Sequence, residues 1–415
     1  MLCRMNQTEI QTARLDNGLM ILVEPLPDVR SAAFSWWIPA GSAHEPPACN
    51  GAAAVLCDWM FRGAGDRDHQ ELSTAIDSLG VQSQESVTAS HLIMQGACLG
   101  ENLGESLKLY ADLLLRPRFE EHEFEPTMLG VEQSLQALED EPRQKVMVEL
   151  TRNCYPRPWN RPPEGTLAEL PNITPDVIRR QFAQCVRPDQ AILGIAGHVD
   201  FREVLESVQA LFGEWRPTGE LPQIVTQPVA SSTVHLPQES TQTQIGVAYP
   251  SVPYRDADYY AAWAASNILS GGMSCRLMTE VREKRGLCYS IYASLAGLQE
   301  AGFMLCYAGT TNERAAETLE VMLQVLRGLG EGVSEAELAR CRARAKSALI
   351  MSQESTGARA SSLARDWSHL GRVVTLQEVR QRIDALTPAD IVDYVRRYPA
   401  DDVSLVTIGP EPLTK

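Results

Sequence analysis

The sequence predicts an α+β protein of two similar domains, each an antiparallel sheet packed with helices. Two observations carry this expectation. Apolar alternation at period 2 gives way repeatedly to longer stretches at period 3.6 along the 415 residues, the pattern of sheets covered by helices. One pair of motifs also occurs twice. I-T-P-D-V-I-R-R-Q-F at Ile173 is followed by A-I-L-G-I-A at Ala191, and L-T-P-A-D-I-V-D-Y-V at Leu386 is followed at the same spacing by S-L-V-T-I-G at Ser404, which marks an internal duplication. Between the copies, residues 216–232 are Pro-rich, polar and aperiodic and read as a linker. The expected domains are therefore 1–215 and 233–415.

In chain order, T-A-R-L-D-N-G-L-M-I-L-V reads as strand, Asn17-Gly18 turn and strand. A second strand spans 31–38. After the loop A-G-S-A-H-E-P-P, Asn50 is placed to cap an apolar helix, G-A-A-A-V-L-C-D-W-M-F, that stops at Gly63. A helix near 70–79, strands near 81–87 and 91–98, and a helix near 103–114 follow. The first half closes with the helix starting at Thr174, the strand starting at Gln190 and the helix at 200–215. The second half opens with a strand at Thr243 and a helix at 256–270. A strand return beginning at Ala301 and helices at 313–329 and 334–350 come later.

A formal net charge of −16 argues against binding nucleic acid or an anionic membrane. No stretch is apolar over a membrane-spanning length, and the N-terminus shows no apolar signal-peptide core. The ten cysteines contain no C-x-x-C and mostly sit in apolar runs, as reduced core thiols do. The expected compartment is the cytoplasm.

The stretch from Ile268 to Ser294, I-L-S-G-G-M-S-C-R-L-M-T-E-V-R-E-K-R-G-L-C-Y-S-I-Y-A-S, organises the second half. Gly271 and Gly272 break the preceding helix, and Ser274 is placed to cap a new one that Gly286 stops. The period then switches to 2, so Arg285 stands at a helix end and Tyr289 at a strand start. On spacing alone these are ordinary structural residues, an Arg on free carbonyls and a half-buried Tyr.

The run from Gly271 to Ile291, however, resembles the C-terminal-domain signature of the pitrilysin/insulinase family of zinc metallopeptidases, which includes the mitochondrial processing peptidase. The resemblance implies two halves facing each other like a clamshell around a peptide chamber. It also implies that Arg285 and Tyr289 hold substrate backbone and steady the scissile carbonyl as it becomes tetrahedral, as an oxyanion hole does.

Active members carry H-x-x-E-H on the helix of the first half, two His as zinc ligands and the Glu as general base. Aligned without a gap, the two His positions hold Ala54 and Asp58, and the Glu position holds Cys57. The third ligand of the family, a Glu before a D-x-P turn, falls on Ser134, with Glu132 and Gln133 nearby. An unusual metal site of Cys57 and Asp58 with His44, Cys49 or His69 is open on spacing, but a lone cysteine on an Ala-rich helix is ordinarily core.

What the resemblance implies is a non-catalytic subunit of a two-chain zinc peptidase. This chain binds no cofactor of its own. It supplies Arg285 and Tyr289 for a peptide substrate, within a heterodimer whose H-x-x-E-H partner carries zinc. The alternative is a structural or interaction protein of the same fold with no part in proteolysis.

Overall fold

The computed structural model describes residues 9–414. β1 (Gln11–Arg14) and β2 (Met20–Pro25) pair antiparallel across the Asn17-Gly18 turn. The Asn17 amide fixes this turn by donating to the Phe212 and Trp215 carbonyls at 2.7 and 3.1 Å. β3 (Ser31–Ile38), α1 (Ala52–Met60), the two-residue strands β4 (Gly63–Ala64) and β5 (Arg67–Asp68), α2 (His69–Ser78), β6 (Gln82–Val87) and β7 (Leu92–Leu99) come next. Then follow α3 (Leu103–Leu115), α4 (Glu121–Glu139), α5 (Pro142–Cys154), α6 (Pro175–Cys185), β8 (Ile192–Gly197) and α7 (Phe201–Phe212).

The second half begins with β9 (Thr233–Pro237), β10 (Gln242–Ser251) and α8 (Tyr259–Ser270). The π-helix Met278–Glu283 leads into β11 (Cys288–Gly297) and β12 (Gly302–Thr311). α9 (Ala315–Gly328), α10 (Glu335–Gln353), α11 (Thr356–Leu370), α12 (Leu376–Ala385), α13 (Pro388–Arg397) and β13 (Ser404–Gly409) complete the chain.

The duplication is visible in the topology. One sheet runs β1-β2-β8-β3-β7-β6 and the other β11-β12-β10-β13-β9. Reversing the second gives the order of the first without its extra strand β1. Each sheet is antiparallel except for one parallel pair in the corresponding place, β2 with β8 and β13 with β9. The repeated motifs form α6 with β8 and α13 with β13, and Thr174 and Thr387 cap those helices through their hydroxyls, as Thr does at an N-cap.

Two compact units result, and neither is a continuous run of chain. One contains the described residues up to Gln136, then Arg161–Thr226 and Met351–Val373; the other contains Ala137–Asn160, Gln227–Ile350 and the described residues from Val374. The changeover at Thr226 lies inside the 216–232 stretch. Each half of the sequence thus lends one helix to the other half's sheet.

α5 lays Val146 and Leu150 on the second sheet against Ala248, Leu305 and Val406. α11 lays Leu363 and Ala364 on the first sheet against Met20, Leu22 and Ile192. Beside it Arg359 forms an ion pair with Glu24 whose two side chains are 13% and 14% exposed. Leaving either sheet face in water would forfeit roughly 1.5–3 kcal/mol for each large apolar side chain uncovered.

The other face of the first sheet packs Phe34, Trp36 and Ile38 with Leu56 and Trp59 of α1, Tyr110 of α3 and Phe212 of α7. Ile245, Val247, Met304 and Cys306 do the equivalent for the second sheet against α8 and α9.

Two local expectations are corrected. Asn50 does not cap α1. Gly51 holds the N-cap position with φ +115° and no side-chain cap bond, while the Asn50 amide is spent on Glu45 and the Pro162 carbonyl. Ser274 likewise makes no cap, because the residues it was expected to start belong to a π-helix with no side-chain cap bond. Nine of the ten cysteines are free and Cys3 lies outside the described residues.

Candidate functional site

On α1, Ala54 and Cys57 are partly covered and packed against the first unit's core. Burial, with Glu85 and then Asp58 adding repulsion, pushes the Cys57 thiol up to about 12, so it stays protonated and is a poor ligand or nucleophile at neutral pH. Asp58 accepts from Arg62 at 3.0 Å, and Arg62 also reaches Glu123 at 3.2 Å. Ser134 sits on the exposed side of α4 and donates back to the Gly130 carbonyl at 3.0 Å. Glu132 accepts from Gln136 at 3.1 Å on the same helix.

Zinc in the family manner does not fit: of the three ligand positions, Ala54 has no donor atom, Asp58 is paired with Arg62 and Ser134 is a neutral hydroxyl bonded to Gly130, while Cys57 at the base position is a protonated thiol. His44, Cys49 and His69 do not complete it. Among the described residues no three His, Cys, Asp or Glu are grouped so as to hold a metal ion.

What organises the start of α1 is Glu45, which no motif in the sequence marks. It is 4% exposed. One carboxyl oxygen accepts from the Gly51 and Ala53 N–H groups at 3.0 and 2.9 Å, and the other from the Asn50 amide at 2.7 Å. Those helix donors have no partner within α1 itself. Arg161 donates to the Glu45 carbonyl at 2.5 Å. Burial raises the Glu45 carboxyl to about 7 against the lowering effect of these hydrogen bonds.

In the second unit the signature winds as a π-helix. The Lys284 N–H bonds the Thr279 carbonyl five residues back at 3.0 Å. Such wide turns are rare and recur at functional sites. Gly286 ends it at φ +62°. Arg285 stands at that end with its side chain 40% exposed, donating to both the backbone carbonyl and the carboxylate of Glu280 at 2.6 and 3.0 Å. Lys284 and then Arg285 hold the Glu280 carboxyl below its ordinary range.

Tyr289 is not core: it is 84% exposed. The β11–β12 register steps between Cys288 and Ser290, leaving Tyr289 as the extra residue of a β-bulge, a device that re-aims a side chain. Its ring is faced by the Arg282 guanidinium 5.5 Å from the centroid. The helix-end and strand-start positions assigned to Arg285 and Tyr289 are therefore both occupied as expected, on one short connection. Arg282 and Glu280, which hold the pair, lie in the same motif but carried no signal of their own.

The family model described as Insulinase (Peptidase family M16) matches residues 20–165, and the one described as Peptidase M16 inactive domain matches residues 172–345. The chain is 27% identical to an uncharacterized zinc protease of Streptomyces coelicolor over 97% of this chain and 90% of that one. Among solved structures, a peptidase M16 inactive domain from Pseudomonas fluorescens superposes with TM-score 0.89 at 21% identity, covering 98% of this chain and 99% of that one. A chain of Complex III2 from Candida albicans, Inz-5 bound, superposes with TM-score 0.84 at 19% identity, covering 97% and 96%.

Proposed function

Since the chain belongs to the pitrilysin/insulinase family of peptidases, family M16, we propose that it is the substrate-positioning, non-catalytic subunit of a two-chain zinc endopeptidase. The partner would be a family member with intact H-x-x-E-H, and would bring the zinc.

The observation that carries this reading is Tyr289, a large phenol held almost wholly in water on a bulge four residues after Arg285. A scaffold has no use for such exposure, whereas a donor that must meet a substrate carbonyl needs it. Arg285 and Tyr289 would donate to the oxygen of the scissile carbonyl as negative charge develops there. To do so Arg285 leaves Glu280, an exposed pair worth about 1 kcal/mol or less.

A second reading, a structural protein of the same fold, is favoured by the fact that Arg285 already has a partner in Glu280. Reconstitution separates the two. The purified chain is mixed with each H-x-x-E-H family member encoded in the same genome, and co-elution and hydrolysis of a fluorogenic peptide are recorded. The peptidase reading expects one mixture to co-elute and to cleave far faster than either chain alone. Co-elution with no gain in cleavage would favour the scaffold.

A further inference from the structure

The N-terminal turn of α5 places Arg143 over two neighbouring tyrosines of the second unit. Its guanidinium carbon lies 5.4 Å from the ring centroids of both Tyr292 on β11 and Tyr307 on β12. Those rings are 5.1 Å apart and inclined by 31°, and the Tyr307 hydroxyl is fixed by donating to Gln244 at 2.6 Å. Among the described residues Arg143 makes no ion pair or hydrogen bond through its side chain, although it is exposed.

A cation held over aromatic faces keeps the edge of its guanidinium, with five N–H donors, for something else. β11 is the edge strand of its sheet. Tyr292 lies three residues along it from Tyr289, about 10 Å at the usual rise of a strand.

We infer that Arg143 is a specificity-determining residue, taking through its free N–H edge a carboxylate side chain of the bound peptide a few residues from the bond presented to Tyr289. This rests on the peptide-positioning reading above. The donor fork matches a carboxylate bidentately. The start of α5 favours an anion as well. Of the acidic neighbours, Glu139 is already paired with Lys145, while Asp140 and Glu141 are exposed and set an opposing field that short-range pairing must exceed.

The test uses the isolated full chain and fluorescein-labelled decapeptides that differ by one Glu or Gln, followed by fluorescence anisotropy. Wild type should bind the Glu peptide on the order of tenfold tighter, the scale of one charge-assisted pair. Arg143→Gln should abolish that preference while binding of the Gln peptide stays unchanged. Arg143→Lys keeps the cation on the rings without the fork, and should retain only part of the preference at unchanged melting temperature.

Equal binding of the two peptides by wild type, or no binding of either, overturns the inference. So does an Arg143→Lys protein that melts early with its preference intact, since Arg143 would then only clamp α5 to the sheet. Because the assay needs no partner, its outcome is separate from that of the reconstitution, which reads cleavage.

Discussion

Arg282 holds its guanidinium 5.5 Å from the ring centroid of Tyr289, so the exposed phenol is steadied by a residue seven positions before it, on the π-helix. A cation over an exposed ring contributes about 0.5–1 kcal/mol. Arg282→Gln should leave the melting temperature within a few degrees of wild type and lower kcat of the reconstituted pair by roughly 2–5-fold, the factor corresponding to that energy. Unchanged kcat would mean that the bulge alone aims the ring.

Glu45 predicts a pH dependence. Burial holds its carboxyl at about 7 against an ordinary 4.5, so between these values the folded chain binds more protons than the unfolded one. Stability from this group is therefore fully present below about 4.5 and is lost as pH rises through about 7. Urea midpoints at pH 5 and pH 8 should differ less in Glu45→Gln than in wild type. Glu45→Ala, which strands the Gly51 and Ala53 donors, should cost about 1–3 kcal/mol at either pH. An unaltered pH slope in Glu45→Gln would assign the dependence to another group.

Writing the metal motif back, as Ala54→His, Cys57→Glu and Asp58→His together, should restore neither zinc nor activity to the isolated chain. Ser134 still offers no ligand, and Arg62 loses the Asp58 carboxylate it pairs with. New polar groups against the first core would cost several kcal/mol where left unpaired. Metal analysis after dialysis and a peptidase assay check this. One tightly held zinc with robust cleavage would show a third ligand elsewhere.

The elements most legible in the sequence were those with local causes. Thr174 and Thr387 cap duplicated helices, Asn17-Gly18 closes a hairpin, and Gly286 ends the signature helix. The positions of Arg285 and Tyr289 followed from the same logic, helped by the family resemblance. α5 and α11 are not legible in the sequence. Each finds its apolar partner in the other half's sheet, so neighbouring sequence holds no trace of why it should be there.

Glu45 was missed for a related reason: it serves donors six to eight residues downstream through its side chain, outside any capping spacing. The exposure of Tyr289 was hidden as well. A one-residue slip in a strand ladder leaves the alternation of its neighbours intact, and period 2 alone suggested a half-buried ring.

Arg285 and Tyr289 carry the central claim, and one paired measurement on the reconstituted complexes tests it: a melting curve and steady-state kinetics for Arg285→Ala and Tyr289→Phe. A helix-end Arg in an exposed pair and one exposed hydroxyl contribute about 1 kcal/mol or less to stability, so the melting temperature should barely move. Removing donors to a developing oxyanion should lower kcat on the order of 100-fold with a smaller change in KM. Complexes that melt early yet turn over at the wild-type rate per folded molecule would contradict the account and make both residues structural.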